Sequence, residues 1–196
     1  SSSEENTDEV AIFEGLKRSP SAAYELHEKI GKGAFGSVYR ATDIKTGREV
    51  AIKKIQFVVD TGLSQMQELN ILQVIGDRCL PHHIVCVLDH FTWTKSGKHL
   101  LYIVMEYISG KDVRVFNAMK PTEQEQLNMA TQLFEALQFI HGLGINHRDI
   151  KPDNIMWSNG KLTLVDFGLA CRVPRCRGRQ DGTRRYTWPG LFGAKR

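Results

Sequence analysis

An α+β fold is predicted by three observations on this sequence. The first half alternates short β-type runs with glycine-marked turns, the second half carries a capped helix of about five turns, and the composition supports a buried core. Of 196 residues, 41% are apolar and 24% charged, too apolar for a disordered chain. The formal net charge of +4 is small, so composition nominates no polyanion and nucleic acid is not an expected partner. No apolar run approaches the ~18 residues of a membrane-spanning helix, and no membrane association is expected.

Residues 1–20 read as a disordered tail. Ser1 to Glu9 is polar and acidic, with neither basic flank nor apolar stretch, which argues against a signal or transit peptide and for an intracellular address, in cytoplasm or nucleus. Strands are predicted at Tyr24–Ile30, Ser37–Thr42 and Glu49–Ile55, the last two joined by the turn Lys45-Thr46-Gly47-Arg48. Ser64–Ile75 has Met66, Leu69 and Leu72 at helical spacing. Two further strands, Ile84–Thr94 and His99–Tyr107, flank Lys95-Ser96-Gly97-Lys98. Thr122, with Glu125 three residues on, is the capping box of the long helix. Its apolar face is assigned to Leu127, Ala130, Leu133, Phe134, Leu137 and Phe139 to His141. Asn159-Gly160 marks a hairpin between Ile155–Trp157 and Leu162–Val165.

Several segments carry groups suited to chemistry. Gly31, Gly33 and Gly36 lie between two predicted strands, where backbone N–H groups can approach phosphates without side-chain obstruction. Alone, a glycine-rich hairpin without a ligand fits equally well. Lys53, in Val50-Ala51-Ile52-Lys53, would bring an ammonium to the same phosphates, and Glu68 is the only Glu between Lys53 and Met105 able to hold it. His147-Arg148-Asp149-Ile150-Lys151-Pro152-Asp153-Asn154 supplies a carboxylate to orient a hydroxyl proton (Asp149), a charge-neutralising lysine (Lys151) and an amide oxygen for Mg²⁺ (Asn154). Asp166, in Asp166-Phe167-Gly168, adds a second hard oxygen ligand.

These four motifs in this order resemble the eukaryotic-type Ser/Thr protein kinases, over about residues 24–188. Lysine two positions after Asp149 is similar to the Ser/Thr rather than the tyrosine group, and Leu164 to Ala170 with Gly182-Thr183-Arg184 resembles the DDK type that fires DNA replication. The resemblance implies a kinase small lobe and hinge at 21–108, with a five-stranded antiparallel sheet and one helix. It implies a partial, mainly helical large lobe at 109–196. It implies ATP and Mg²⁺ as cofactors, a protein substrate phosphorylated on Ser or Thr, and a regulatory subunit as a further partner. By the same resemblance Met105 is the gatekeeper, Glu106 to Ile108 the adenine-binding hinge, Asp112 a ribose contact, and Val38, Ala51 and Ile155 the apolar faces around adenine.

The pattern also breaks. Trp188-Pro189-Gly190 stands where the family has Ala-Pro-Glu, and the sequence ends six residues later. A helical lobe cut there leaves the long helix with exposed apolar surface, so a nucleotide-binding scaffold without turnover is the competing expectation. Cys171 to Gly182 holds no Ser, Thr or Tyr. Without an acceptor there for an activating phosphate, Arg148 would need another anion, with Asp181 the nearest. The last 26 residues carry eight basic side chains and one acid, suited to a solvated loop or, as a further alternative, to binding a polyanion such as an acidic substrate, an acidic partner or nucleic acid. Cys79, Cys86, Cys171 and Cys176 form no C-x-x-C pair, and four free thiols are expected.

Overall fold

The computed structural model describes residues 22–32, 35–57, 63–95, 97–118 and 120–173. The expectations for the 1–20 tail, Gly33, Asp181, Gly182-Thr183-Arg184 and Trp188-Pro189-Gly190 lie outside them. The described chain is a five-stranded antiparallel sheet with one helix against it, followed by a smaller part built on a long helix and a three-stranded sheet.

The strands β1 (Tyr24–Lys32), β2 (Gly36–Asp43), β3 (Glu49–Phe57), β4 (Val87–Lys95) and β5 (Lys98–Glu106) pair in the order β1-β2-β3-β5-β4. Alternation along β5 sends Leu101, Ile103 and Met105 to one face and Leu100, Tyr102 and Val104 to the other. The outer face is closed by a small cluster in which Tyr24 stacks on Phe91 and Phe91 on Tyr102. The inner face meets helix α1 (Leu63–Ile75) through Met66, Leu69, Leu72 and Ile75.

That inner core runs without a break into the second part. It takes in Met129, Ala136 and Ile140 of helix α3 (Glu123–Gly142), Ile155 of β8 (Ile155–Ser158), Leu162 and Leu164 of β9 (Lys161–Leu164), and Phe167. A short strand β6 (Lys111–Asp112) pairs with β8 and leads into a helix absent from the sequence reading, α2 (Val113–Ala118). The pair β7 (Ile145–Asn146) and β10 (Cys171–Arg172) completes the described residues. Among the described residues no helix is long and apolar enough to cross a membrane.

The capping box forms as expected: Thr122 accepts the Glu125 N–H, and the Glu125 carboxylate accepts the Thr122 N–H. The buried face of α3 is shifted from the expected one, although Ile140, expected on it, is buried and Leu133, Leu137 and Phe139 pack against the core. That face is Met129, Gln132, Ala136 and Ile140, while Leu127 and Phe134 are 60% and 69% exposed. Gln132 decides the shift, because its amide oxygen accepts the Leu162 N–H at 2.7 Å and its nitrogen donates to the Gly160 carbonyl at 2.9 Å. A satisfied amide faces the core here as an apolar residue would.

The cysteine expectation is overturned. Cys79 and Cys86 form a disulfide, and Cys171 is disulfide-bonded as well. Two 3₁₀ turns, Gly76–Arg78 and Leu80–His82, followed by left-handed His83 at φ 59°, fold the intervening residues back. The Ile84 N–H then reaches the Cys79 carbonyl, and the two Cα atoms stand 5.3 Å apart, within bridging range. Motif spacing carries no trace of such a turn.

Candidate active site

The site forms where the sheet's inner face meets the loops after α3 and β9. β3 pairs Lys53 with Val38 on β2 and Ile103 on β5, and places Ala51 two residues away on the same face, paired with Met105. Lys53 and Glu68 are 1% and 2% exposed, on the faces of β3 and α1 that turn to the core. Lys53 Nζ donates to both Glu68 oxygens, at 2.7 and 2.6 Å, and to Asp166 Oδ1 at 2.7 Å. Burial works against the Lys53 charge, but the Glu68 and Asp166 carboxylates outweigh it and raise its pKa. Burial raises the Glu68 pKa against the pull of Lys53. For Asp166, burial pushes upward, and the Lys53 charge and hydrogen bond prevail, with the net shift downward. The three form one cluster of an ammonium and two carboxylates.

One glycine gives this cluster its room, and another lets β2 lie close against β3. A Cβ on Gly168 would lie 3.1 Å from Asp166 Oδ1 and 3.3 Å from both Glu68 Oε2 and Lys53 Nζ. A Cβ on Gly36 would stand 2.2 Å from the Lys54 carbonyl oxygen, so close strand approach already requires glycine there, before any phosphate is considered. Gly31 pairs with Val38, and its Cβ position is uncrowded.

The second cluster lies in the loop after α3. Lys151 Nζ donates to Asp149 Oδ2 at 2.8 Å, and the Asn154 amide nitrogen donates to the Asp149 carbonyl at 2.8 Å and to Oδ2 at 2.9 Å. The hydrogen bond to Asp149 raises the Lys151 pKa. Asn154 thus turns its nitrogen to Asp149 and keeps its amide oxygen for another partner. Asp166 likewise commits Oδ1 to Lys53 and to the Gly168 N–H. With Asp166 Oδ2, Asn154 Oδ1 is a hard oxygen donor, the type Mg²⁺ prefers, and one or two such protein ligands are its usual number beside phosphates. The two residues are tied through the Val165 N–H to Asn154 carbonyl bond of 2.9 Å.

His147 joins the clusters. Its Nε2 bonds the Val165 carbonyl at 3.1 Å, its Nδ1 accepts the Asp149 N–H, and its ring meets Phe167 edge-on at 4.7 Å. Burial lowers its pKa. Arg148 gives its Nε–H to the Leu169 carbonyl at 2.6 Å, and Gln67 of α1 donates to the Ala170 carbonyl at 2.8 Å. Together they hold the segment after Asp166 from two sides. Gln67 was invisible in the sequence, where an amide beside Glu68 carries no signal.

Met105 and the residues expected as a hinge form the end of β5 and the strand-free stretch after it. The Met105 side chain is buried, and Glu106 exchanges bonds with Cys86: its N–H donates to the Cys86 carbonyl and its carboxylate accepts the Cys86 N–H, both at 3.1 Å. Ile108 follows, half-buried. Asp112 accepts the backbone N–H and the guanidinium of Arg114, which also reaches Asp153 at 2.9 Å. Arg114 lowers the Asp112 pKa. Ile155 is buried beside the loop, paired with Leu164, and Val38 is half-buried.

Residues 24–196 match the protein kinase domain model. This chain belongs to the protein kinase family. It is 35% identical over 179 residues to a serine/threonine-protein kinase stk11 homolog of Dictyostelium discoideum, covering 85% of this chain and 29% of that protein. It is 36% identical over 169 residues to cyclin-dependent kinase B2-2 of Arabidopsis thaliana, covering 80% and 53%. Against the cell division control protein 2 homolog C of Antirrhinum majus the identity is 32% over 160 residues, covering 75% and 52%. The chain spans about a quarter to a half of the length of the curated relatives it matches.

Proposed function

We propose that this kinase domain transfers the γ-phosphoryl of Mg-ATP to Ser or Thr hydroxyls of a protein substrate. The observation that carries the reading is the placing of Lys53 Nζ within 2.7 Å of both Glu68 and Asp166, an arrangement that needs β3, α1 and the segment after β9 at once. In this reading Lys53 binds ATP phosphates and Glu68 fixes its stem. Asp149 accepts a hydrogen bond from the substrate hydroxyl and sets its direction of attack, and Lys151 balances charge on the transferring group. Asn154 and Asp166 would hold Mg²⁺, which would supply neutralisation of phosphate charge when bound. Gly31, Gly33 and Gly36 cover the phosphates, Val38, Ala51 and Ile155 enclose adenine with Met105 behind it, Glu106 to Ile108 bond its edge, and Asp112 meets the ribose. Relatives named as Ser/Thr kinases support the choice of acceptor.

Exposed Leu127 and Phe134 favour a second reading, nucleotide binding without turnover until further protein covers α3. A regulatory subunit is a partner suited to that cover. Thermal shift with Mg-ATP beside γ-phosphate transfer to a generic protein tests both readings. Transfer is expected to vanish in Asp149→Asn and Asp166→Asn, with ATP binding weakened only in the second. Binding without transfer selects the second reading, and transfer that persists in Asp149→Asn overturns the first.

A further inference from the structure

The disulfide Cys79–Cys86 closes an eight-residue ring that adjoins the helix of Glu68, the end of β5, β9 and α3. On one side the ring continues from the end of α1, the helix of Glu68. Toward β9 the Val85 N–H donates to the Leu164 carbonyl at 3.1 Å and the Leu164 N–H to the His83 carbonyl at 2.8 Å, two residues before Asp166. Toward the hinge, Cys86 itself exchanges two bonds with Glu106. Beneath it, His82 stacks on Phe139 of α3 with ring centres 3.8 Å apart, and His83 Nε2 lies 3.2 Å from Glu135.

We infer that Cys79–Cys86 is a redox modification site, a dithiol–disulfide pair whose oxidised form holds the hinge and the Asp166 segment in register. A small dithiol is the reductant. Its thiolate attacks one sulfur, breaking the Cys79–Cys86 bond and forming a mixed disulfide. Its second thiolate displaces that sulfur, leaving oxidised reductant and two protein thiols, with two electrons and two protons transferred. The cysteines are 6% exposed, but Gly76 to Arg78, Leu80 and Pro81 around them are open to solvent, so exchange requires opening two short turns and not the core. Once reduced, the ring loses the constraint that keeps His83, Val85 and Cys86 against their partners.

The effect on nucleotide rests on the proposed function, whereas the latch itself does not, so the test reads both. Hydrogen exchange at the Val85, Glu106 and Leu164 amides is compared in the oxidised chain, in the chain reduced with dithiothreitol, and after reoxidation, with alkylation and mass spectrometry reporting the thiols. Reduction of the native chain is expected to speed exchange at these three amides by on the order of tenfold, reversibly. Mg-ATP affinity is expected to fall about tenfold. The Cys79→Ser/Cys86→Ser double variant should behave as the reduced chain and lose its redox response. A disulfide that yields only after unfolding overturns the inference, as does reduction without a change at the three amides. A redox response retained by the double variant assigns it to Cys171 and equally overturns it. If the oxidised chain binds no Mg-ATP, the proposed function fails while amide exchange still decides the latch.

Discussion

β5 buries every residue from Leu100 to Met105, three on each face, because α1 and the second part cover one side and Tyr24, Ala41, Val50, Ile52 and Phe91 of the other strands form the small cluster on the other. Helix α3 buries Met129, Gln132, Ala136 and Ile140, yet leaves Leu127 and Phe134 open. The first region is covered on both faces within the described chain. The second presents two apolar faces and the described chain covers one. Polar groups divide the same way: the small lobe contains a buried ion cluster satisfied from three elements, whereas α3 contributes one buried amide. The site belongs to the better-closed region for Lys53 and Glu68, and to the seam for Asp149, Asn154 and Asp166.

The largest test of this contrast is Lys53→Met. It leaves two carboxylates facing each other without their cation, and is expected to cost about 3–5 kcal/mol in urea unfolding. Lys53→Met/Glu68→Leu should recover most of that loss while transfer stays absent, separating fold from chemistry. If Lys53→Met unfolds like the parent chain, the cluster is not the closed centre of the small lobe.

Next in size is a pair on α3. Ile140→Ala, at a fully buried position, is expected to cost about 2–5 kcal/mol, and Phe134→Ala to change stability by less than about 0.5 kcal/mol. Equal losses at the two positions would mean that protein outside the described residues covers the second face. Smaller again is Gln132→Ala, which strands the buried Leu162 N–H and should cost about 1–3 kcal/mol by chemical denaturation.

The residues that meet in the two clusters could be picked out in the sequence because phosphate and metal chemistry would restrict which side chains could serve, and motif order carries that restriction. Strand positions followed from alternation and turn residues, and the capping box from two residues alone. Other features depend on tertiary partners. Gln132 looks like a surface residue until Gly160 and Leu162 are placed beside it, so the face of α3 was misassigned by about one position. Cys79 and Cys86 stood seven apart with no motif, and only the left-handed turn at His83 joins them. Helix α2 is six residues long, and Asp112 starts it by accepting the Arg114 and Val115 N–H groups. So short a helix leaves too few repeats for periodicity to register.

The smallest expected effect is a pH dependence centred on His147, at the seam between the two regions. Burial lowers its folded pKa below the ordinary 6.5, so the unfolded chain binds a proton that the folded chain refuses. Stability is therefore complete above pH 6.5 and falls as pH drops below it, by at most about 1.4 kcal/mol per pH unit, until the folded imidazole protonates as well. Asp166, with its folded pKa lowered, loses stability only below its ordinary 3.8, outside that range. Glu68, raised by burial, acts with the opposite sign above 4.5, so the useful quantity is the difference from His147→Gln. Urea unfolding at pH 7.5 and 5.5 should give a steeper fall for the parent chain than for His147→Gln. Equal slopes would place His147 in solvent, with the Asp149 loop and Phe167 no longer packed through its ring.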